Sequence, residues 1–283
     1  MRIALGSVQF GLDYGVSNPH GRTRLEEVAA ILEFARGHGI DTLDTAAAYG
    51  EAEAVLAKLE VQRLGFRVIS KTLRLSHGLP AVMARAEQSV AQLGAPLEGL
   101  LVHSAADLAL PEGPALWDAL RGMKAAGLVR KIGISAYASD PILELANGFR
   151  PDLMQVPVGL VDQRLQQNGV LAALSAMGVE IHARSLFHQG LIFANPAALP
   201  PKLATSRAAI EALQTRIAAS GPEPLALALA FARSVPAIDM AVLGVTRADE
   251  LRAIVEAANL PVPQIDFSQF AQNDALILDP TRW

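Results

Sequence analysis

The stretch TRLEEVAAILEFARGHGIDTLDT, Thr23 to Thr45, decides the fold. Thr23 with Glu26 three residues on predicts a capping box, in which side-chain oxygens take up the free N–H groups of a helix start. Leu25, Val28, Ala29, Leu32 and Ala35 then recur on one helical face, and Gly37 and Gly39 mark its stop. Directly beyond, Thr42–Thr45 is a short apolar and β-branched run that reads as a buried strand. A helix that feeds such a strand is half of a βαβ unit.

Outward from this unit the pattern repeats. Further candidate strands are Ile3–Val8, Arg67–Lys71, Gly99–His103, Lys131–Ser135, Leu153–Val158, Glu180–Arg184 and Ala241–Val245. Helical periodicity follows in Pro80–Leu93, Ala115–Ala125, Ile142–Asn147, Gly169–Met177 and Ala248–Ala258. Eight strands alternating with helices predict an α/β fold, a single (β/α)8 TIM barrel spanning residues 1–283 as one domain. Only the gap between the seventh and eighth strands is long, about 55 residues, with two helical patterns, Ser206–Ala219 and Pro224–Arg233. An extra helix bordering the mouth is expected there. Past Leu260, Pro261, Pro263 and Pro280 predict a C-terminal tail of surface loop and helix.

Composition narrows the function. Hydrophobic residues make up 51% and charged ones 18% of the 283 residues, the profile of a packed enzyme and not of a disordered chain. The net charge of −4 and the lack of a basic cluster argue against nucleic acid. Cysteine is absent, which removes disulfides, thiolate metal sites and cysteine nucleophiles together, and no metal is expected. The longest apolar run, Pro224 to Ala232, falls far short of the roughly 20 residues of a membrane span, and the N-terminus reads as a strand instead of a signal segment. A soluble cytoplasmic protein with no membrane partner is the expectation.

Four polar residues fall at or just beyond strand ends: Asp44, Tyr49, Lys71 and His103. Barrel topology gathers such residues around one mouth. Lys71 follows Val68-Ile69-Ser70 in an apolar strand, where an ammonium needs a carboxylate partner, and Asp44 is the obvious one.

The segment Asp44-Thr45-Ala46-Ala47-Ala48-Tyr49-Gly50, with Ser70-Lys71 and Val102-His103 at successive strand ends, resembles the Asp, Tyr, Lys and His tetrad of the aldo-keto reductases. The resemblance runs from Leu5-Gly6-Ser7-Val8-Gln9-Phe10-Gly11 to Trp283. It implies Tyr49 as general acid, Lys71 as the cation that favours its phenolate, Asp44 as the partner of Lys71, and His103 as the group that orients a carbonyl. A free phenol is a poor proton donor at neutral pH, and a neighbouring ammonium corrects this.

No G-x-G-x-x-G or Walker A motif occurs, but the resemblance implies an extended nicotinamide dinucleotide across the barrel mouth. Matching positions are Ser7, Asp44, Ser135, Gln155, Arg184, Ser185, Leu186, Gln189, Gly190, Leu191, Gly244, Val245, Thr246, Arg247 and Glu250. Two depart from the family pattern. Ala136 stands where Asn is frequent beside the carboxamide, and Arg184 stands where an aromatic residue stacks on the nicotinamide. The charge of Arg184 biases the site toward reduced, uncharged cofactor unless it turns away into a salt bridge. Glu250 repels a 2′-phosphate and suits a ribose hydroxyl, so NAD(H) is favoured, with Arg247 the counterweight for NADP(H). Phe10, Tyr14, Tyr137 and His188 are expected on loops of a substrate pocket, and His182 as a core histidine.

These readings predict an NAD(P)H-dependent reductase of a small aldehyde or ketone. One alternative is a redox-sensing regulator resembling the KidO-like NAD(H)-binding proteins of cell-division control, for which a protein partner would be expected. A Schiff-base aldolase using Lys71 is the other.

Overall fold

The computed structural model describes residues 1–15, 18, 20–199 and 201–279, so the terminal Trp283 of the sequence reading lies outside it. Eight strands, β1 (Arg2–Gly6), β2 (Thr42–Asp44), β3 (Arg67–Lys71), β4 (Leu97–Val102), β5 (Val129–Ser135), β6 (Leu153–Pro157), β7 (Glu180–Arg184) and β8 (Met240–Gly244), run in parallel. They close in chain order into a barrel, with β1 hydrogen-bonded to both β2 and β8. The observed ends differ from the sequence reading by at most two residues.

Around the barrel lie α1 (Val8–Gly11), α2 (Leu25–Gly37), α3 (Ala52–Lys58), α4 (Leu79–Leu93), α5 (Gly113–Ala125), α6 (Ile142–Phe149), α7 (Arg164–Gln167), α8 (Val170–Ala176), α9 (Arg207–Ala219), α10 (Pro224–Ser234), α11 (Ala248–Ala258) and α12 (Ala275–Leu278). The apolar stripe of α2, Val28, Ile31, Leu32 and Ala35, is fully buried. Alternate residues of each strand point inward. Ile69, Leu101 and Leu153 form a separate apolar cluster from three strands, a plug that fills the barrel. Lys71, His103 and Gln155 lie two residues beyond these on the same strands or their extensions, and so share the inward face above the plug.

Several expectations are corrected. The capping box does not form: α2 starts after Arg24, with no side-chain cap. Thr23 instead donates its N–H to the Gln9 carbonyl, which places its hydroxyl in a buried site without a partner among the described residues. β1 stops at Gly6, because the chain turns at Ser7 into the single turn α1. α3 is a helix the periodicity did not single out. The long gap after β7 does hold two helices, and Leu225 of α10 borders the mouth together with the preceding turn, His188–Phe193, while α9 does not. The tail is packed, with Phe270 and Ile277 fully buried and Gln163 donating to the Phe267 carbonyl. Among the described residues no helix is long and apolar enough to cross a membrane.

Candidate active site

Asp44 and Lys71 are the last residues of β2 and β3, and both side chains are almost fully buried. Lys71 Nζ lies 2.6 Å from Asp44 Oδ1, donates to the Thr45 carbonyl at 2.9 Å and reaches Tyr49 Oη at 3.4 Å. Burial is the largest influence on this ammonium and pulls its pKa down, but the charges of Asp44 and Tyr49 and their hydrogen bonds outweigh it, so the pKa is raised. The 2.6 Å contact with Asp44 favours the ammonium, which argues against the Schiff-base alternative, since that chemistry needs a free amine. The second oxygen of Asp44 accepts from Gln155 Nε2 at 2.7 Å, which fixes the carboxylate from the far side of the barrel.

Tyr49 stands on the β2–α3 loop, and that loop is held by close backbone approach. A Cβ on Gly11 would lie 1.9 Å from the Tyr49 carbonyl, and one on Gly50, whose φ is +55°, would lie 2.6 Å from the Gly11 carbonyl. Only glycine fits either position. The Tyr49 ring meets His103 edge-on, with centroids 5.6 Å apart. Burial first, and then the Lys71 charge, lower the His103 pKa to about 4, so its imidazole is neutral at physiological pH. From outside the barrel, buried Glu53 of α3 accepts from Ser70, Arg85 and Ser89, anchoring β3 next to Lys71.

Asp44, Tyr49 and His103 open into a cavity of about 340 Å³ that also receives Ser7, Tyr14, Ser135, Tyr137, Gln155, Arg184, Ser185, Leu186, Gln189 and Gly244, while Lys71 stays behind its wall. A second cavity of about 440 Å³ shares Gln9, Tyr14, Gln189 and Gly244 with the first and continues past Gly190, Val245, Thr246 and Glu250. Together they form an elongated groove across the barrel mouth. Buried in it without partners among the described residues are Ser7 Oγ and Gln9 Oε1. Orphaned polar atoms along an elongated groove fit an extended polar cofactor. The loop after β7 places Ser185, His188 and Gln189 at φ of +64°, +51° and +52°, strained values for non-glycine residues.

Besides Lys71, which acts from behind Asp44 and Tyr49, four sequence-predicted residues do not reach this groove. Phe10 is fully buried in the core, because the turn α1 rotates it away from the mouth. His188 is buried and bonded to the Ile277 carbonyl of the tail; it borders only a neighbouring hollow. Leu191 packs in the core. Arg247 is exposed at the start of α11, outside both cavities. Glu250 accepts from Thr246 N at 2.7 Å and from Thr246 Oγ1 at 3.0 Å, while Glu27 of α2 accepts from Ala248 N at 2.7 Å. Glu27 thus takes the N–H of the first residue of α11 and Glu250 that of Thr246 just before it, which sets two carboxylates at a helix start that would otherwise attract an anion. His182 is a core histidine bonded to Glu180 through Nε2, with Nδ1 unpartnered among the described residues. Arg184 forms no salt bridge among the described residues; its guanidinium lies over the Tyr137 ring. Glu27 escaped the sequence reading, and Gln9, Gly11 and Gly50 stand in the stretches that carry the resemblance with no role assigned to them; for Gln9 the signal was a polar residue just past the first strand.

A sequence profile described as the aldo/keto reductase family matches residues 2–275. No curated protein sequence matches the chain. Among solved structures it is similar to the holo form of an aldo-keto reductase from Bacillus halodurans, with a TM-score of 0.72 and 17% identity, covering 95% of this chain and 89% of that one. It is also similar to a Pseudomonas aeruginosa protein described as an aldo-keto reductase, with a TM-score of 0.66 and 22% identity, covering 90% and 88%. At these identities the structural likeness speaks for the fold, and the profile match for the family.

Proposed function

The chain belongs to the aldo/keto reductase family, and from that premise we propose that it reduces a small aldehyde or ketone with Tyr49 as the proton donor and NADH as the preferred cofactor. It is an oxidoreductase of carbonyl compounds that uses a nicotinamide cofactor. The observation that carries the finer reading is the contact of Lys71 Nζ with both Asp44 and Tyr49 Oη, which line one cavity together with a neutral His103.

A reduced nicotinamide, when bound, supplies the hydride that reaches the carbonyl carbon. As charge grows on the carbonyl oxygen, the Tyr49 hydroxyl donates its proton to it, so that hydride and proton together yield the alcohol. The ammonium of Lys71 holds the phenolate left behind, and Asp44 keeps that ammonium charged and aimed. His103, uncharged, adds a second hydrogen bond to the carbonyl without competing as an acid. Ser135 and Gln155 would hold the carboxamide of a bound nicotinamide, and Ser7, Gln9 and the backbone at Gln189, Gly190 and Gly244 would hold the rest of the dinucleotide.

The preference for NADH over NADPH is supported by the carboxylates of Glu250 and Glu27, which gather at the start of α11 and would repel a 2′-phosphate there. The experiment is titration of the protein with NADH and NADPH, followed by a carbonyl panel at the reduced-nicotinamide band. Tight NADH binding, with turnover abolished by Tyr49→Phe and binding retained, is expected. Undiminished turnover in Tyr49→Phe would remove Tyr49 from its role, and NADH binding without turnover on any carbonyl would return the regulatory reading.

A further inference from the structure

Arg184 ends β7 and lines the cavity that also receives Tyr49, Ser135 and Gln155. Ser135 of β5 is level with Gln155 of β6, and Arg184 of the next strand is level with Pro157, two residues beyond Gln155. Arg184 therefore stands one inward-facing step above Gln155. Its guanidinium donates at 3.1 Å to the carbonyl of Ala136, the residue next to Ser135, reaches Ser185 Oγ at 3.4 Å and lies 4.6 Å from the Tyr137 ring centre. These contacts fix the group without neutralising it. Among the described residues Arg184 makes no ion pair, and its Nε is buried with no hydrogen-bond partner. A cation withdrawn from water is ordinarily matched by a carboxylate. Asp44 does not serve, being held by Lys71 and Gln155, and His103 is neutral. One positive charge is thus left beside the place where Ser135 and Gln155 would hold a carboxamide.

We propose that Arg184 makes the site discriminate the oxidation state of its cofactor, holding NADH and disfavouring NAD+; this rests on the cofactor placement of the reading above and not on which carbonyl is reduced. The two forms share their adenine, riboses, phosphates and carboxamide, so the attraction of any cation for the phosphates acts on both alike. They differ at the ring, which is neutral when reduced and cationic when oxidised. Two unit positive charges side by side repel strongly enough, at the effective dielectric of a protein surface, for a preference of roughly 10- to 100-fold. Each reduction then turns a ligand that the site holds into one that it repels. Hydride passes from the reduced ring to the carbonyl carbon and a proton from Tyr49 to its oxygen, which leaves a cationic ring beside Arg184. Spent cofactor departs readily and free NAD+ inhibits weakly. The bound couple is also shifted to a higher midpoint potential, by about 30 mV for each tenfold of preference, so the same charge makes bound NADH a weaker hydride donor.

The test measures by calorimetry the Kd of NADH, of NAD+ and of benzamide adenine dinucleotide, a planar and uncharged counterpart of NAD+ with the same carboxamide. The proteins are the native chain, Arg184→Gln and Arg184→Lys. Ratios between ligands within one protein are the readout, because a substitution in the cofactor site shifts every affinity. The native protein is expected to bind NADH and the benzamide analogue at least about 10-fold tighter than NAD+. Arg184→Gln should reduce both preferences by roughly that factor, and Arg184→Lys, which keeps the charge, should retain most of them. A native preference near one, a preference that survives Arg184→Gln, or a benzamide analogue as weak as NAD+ would each overturn the assignment. Should no carbonyl be reduced while the ratios hold, the discrimination stands and the reductase reading falls. Should carbonyls be reduced with NADH and NAD+ bound equally, the discrimination falls alone, and failure of every dinucleotide to bind removes both. If neither variant folds by circular dichroism, the native protein decides, since comparing NAD+ with its uncharged counterpart isolates the charge.

Discussion

The buried pair Lys71 and Asp44 yields a prediction in which stability and activity part company. Both side chains are almost wholly removed from water and meet at 2.6 Å. Lys71→Met strands a carboxylate whose remaining donor among the described residues is Gln155, and Asp44→Asn strands an ammonium beside the Thr45 carbonyl and Tyr49. Removing one partner of a buried pair costs about 3–5 kcal/mol. The double variant leaves no uncompensated charge, so its loss should fall about 3 kcal/mol short of the sum of the singles. Urea denaturation of all four proteins measures this coupling, and each single variant should lower Tm by roughly 10 °C. The pH dependence follows from the raised folded-state pKa of Lys71. Its contribution is fully present below the unfolded value and is lost only as pH rises through the folded one, so the pair is silent at neutral pH and its loss appears in the strongly alkaline range. Turnover should fall by roughly 10²- to 10⁴-fold in Lys71→Met. It should stay low in the double variant, because the ammonium beside Tyr49 is still missing. Strict additivity of the stability losses, or recovery of turnover in the double variant, would refute the reasoning.

Other outcomes are expected from the same geometry. Because the His103 pKa is lowered to about 4, its contribution is present above the unfolded value near 6.5 and lost as pH falls toward 4; native stability should drop by up to about 3 kcal/mol over that range, and denaturation of His103→Gln should show a flatter profile. Gly11→Ala forces a Cβ into the Tyr49 carbonyl and should cost about 3 kcal/mol or more and most of the turnover, read by urea melts and NADH oxidation. Removing two carboxylates from the α11 start with Glu27→Gln and Glu250→Gln together should improve NADPH affinity roughly ten-fold relative to NADH, about 1.4 kcal/mol, by fluorescence titration. No change in that ratio would relocate the 2′ discrimination elsewhere.

The barrel and its tetrad were legible because parallel strands buried on both faces are written as continuous apolar runs, and a polar residue at the end of such a run stands out. Asp44, Lys71 and His103 are of this kind. Tyr49 was legible from its place just after one. The misreadings share a different cause. Phe10, His188 and Leu191 sit on loops, where orientation is set by a single turn: α1 rotates Phe10 into the core, and the left-handed residues of the β7 loop turn His188 toward Ile277. Thr23 carried the composition of a cap, yet its backbone bond to Gln9 moved the helix start by one residue. Local propensity lost there to a tertiary hydrogen bond.

By itself the sequence determined the alternation of strand and helix, and with it which side chains end up at the mouth, since a period of two fixes which residues of a strand face inward. Only the tertiary structure decided which of those groups are partnered. Lys71 meets Asp44, Gln155 reaches Asp44 from the far side of the barrel, Glu27 of α2 reaches the start of α11, and Arg184 is left without a carboxylate among the described residues. These contacts join residues as much as 221 positions apart. Their geometry follows from closing the barrel, which no local pattern encodes.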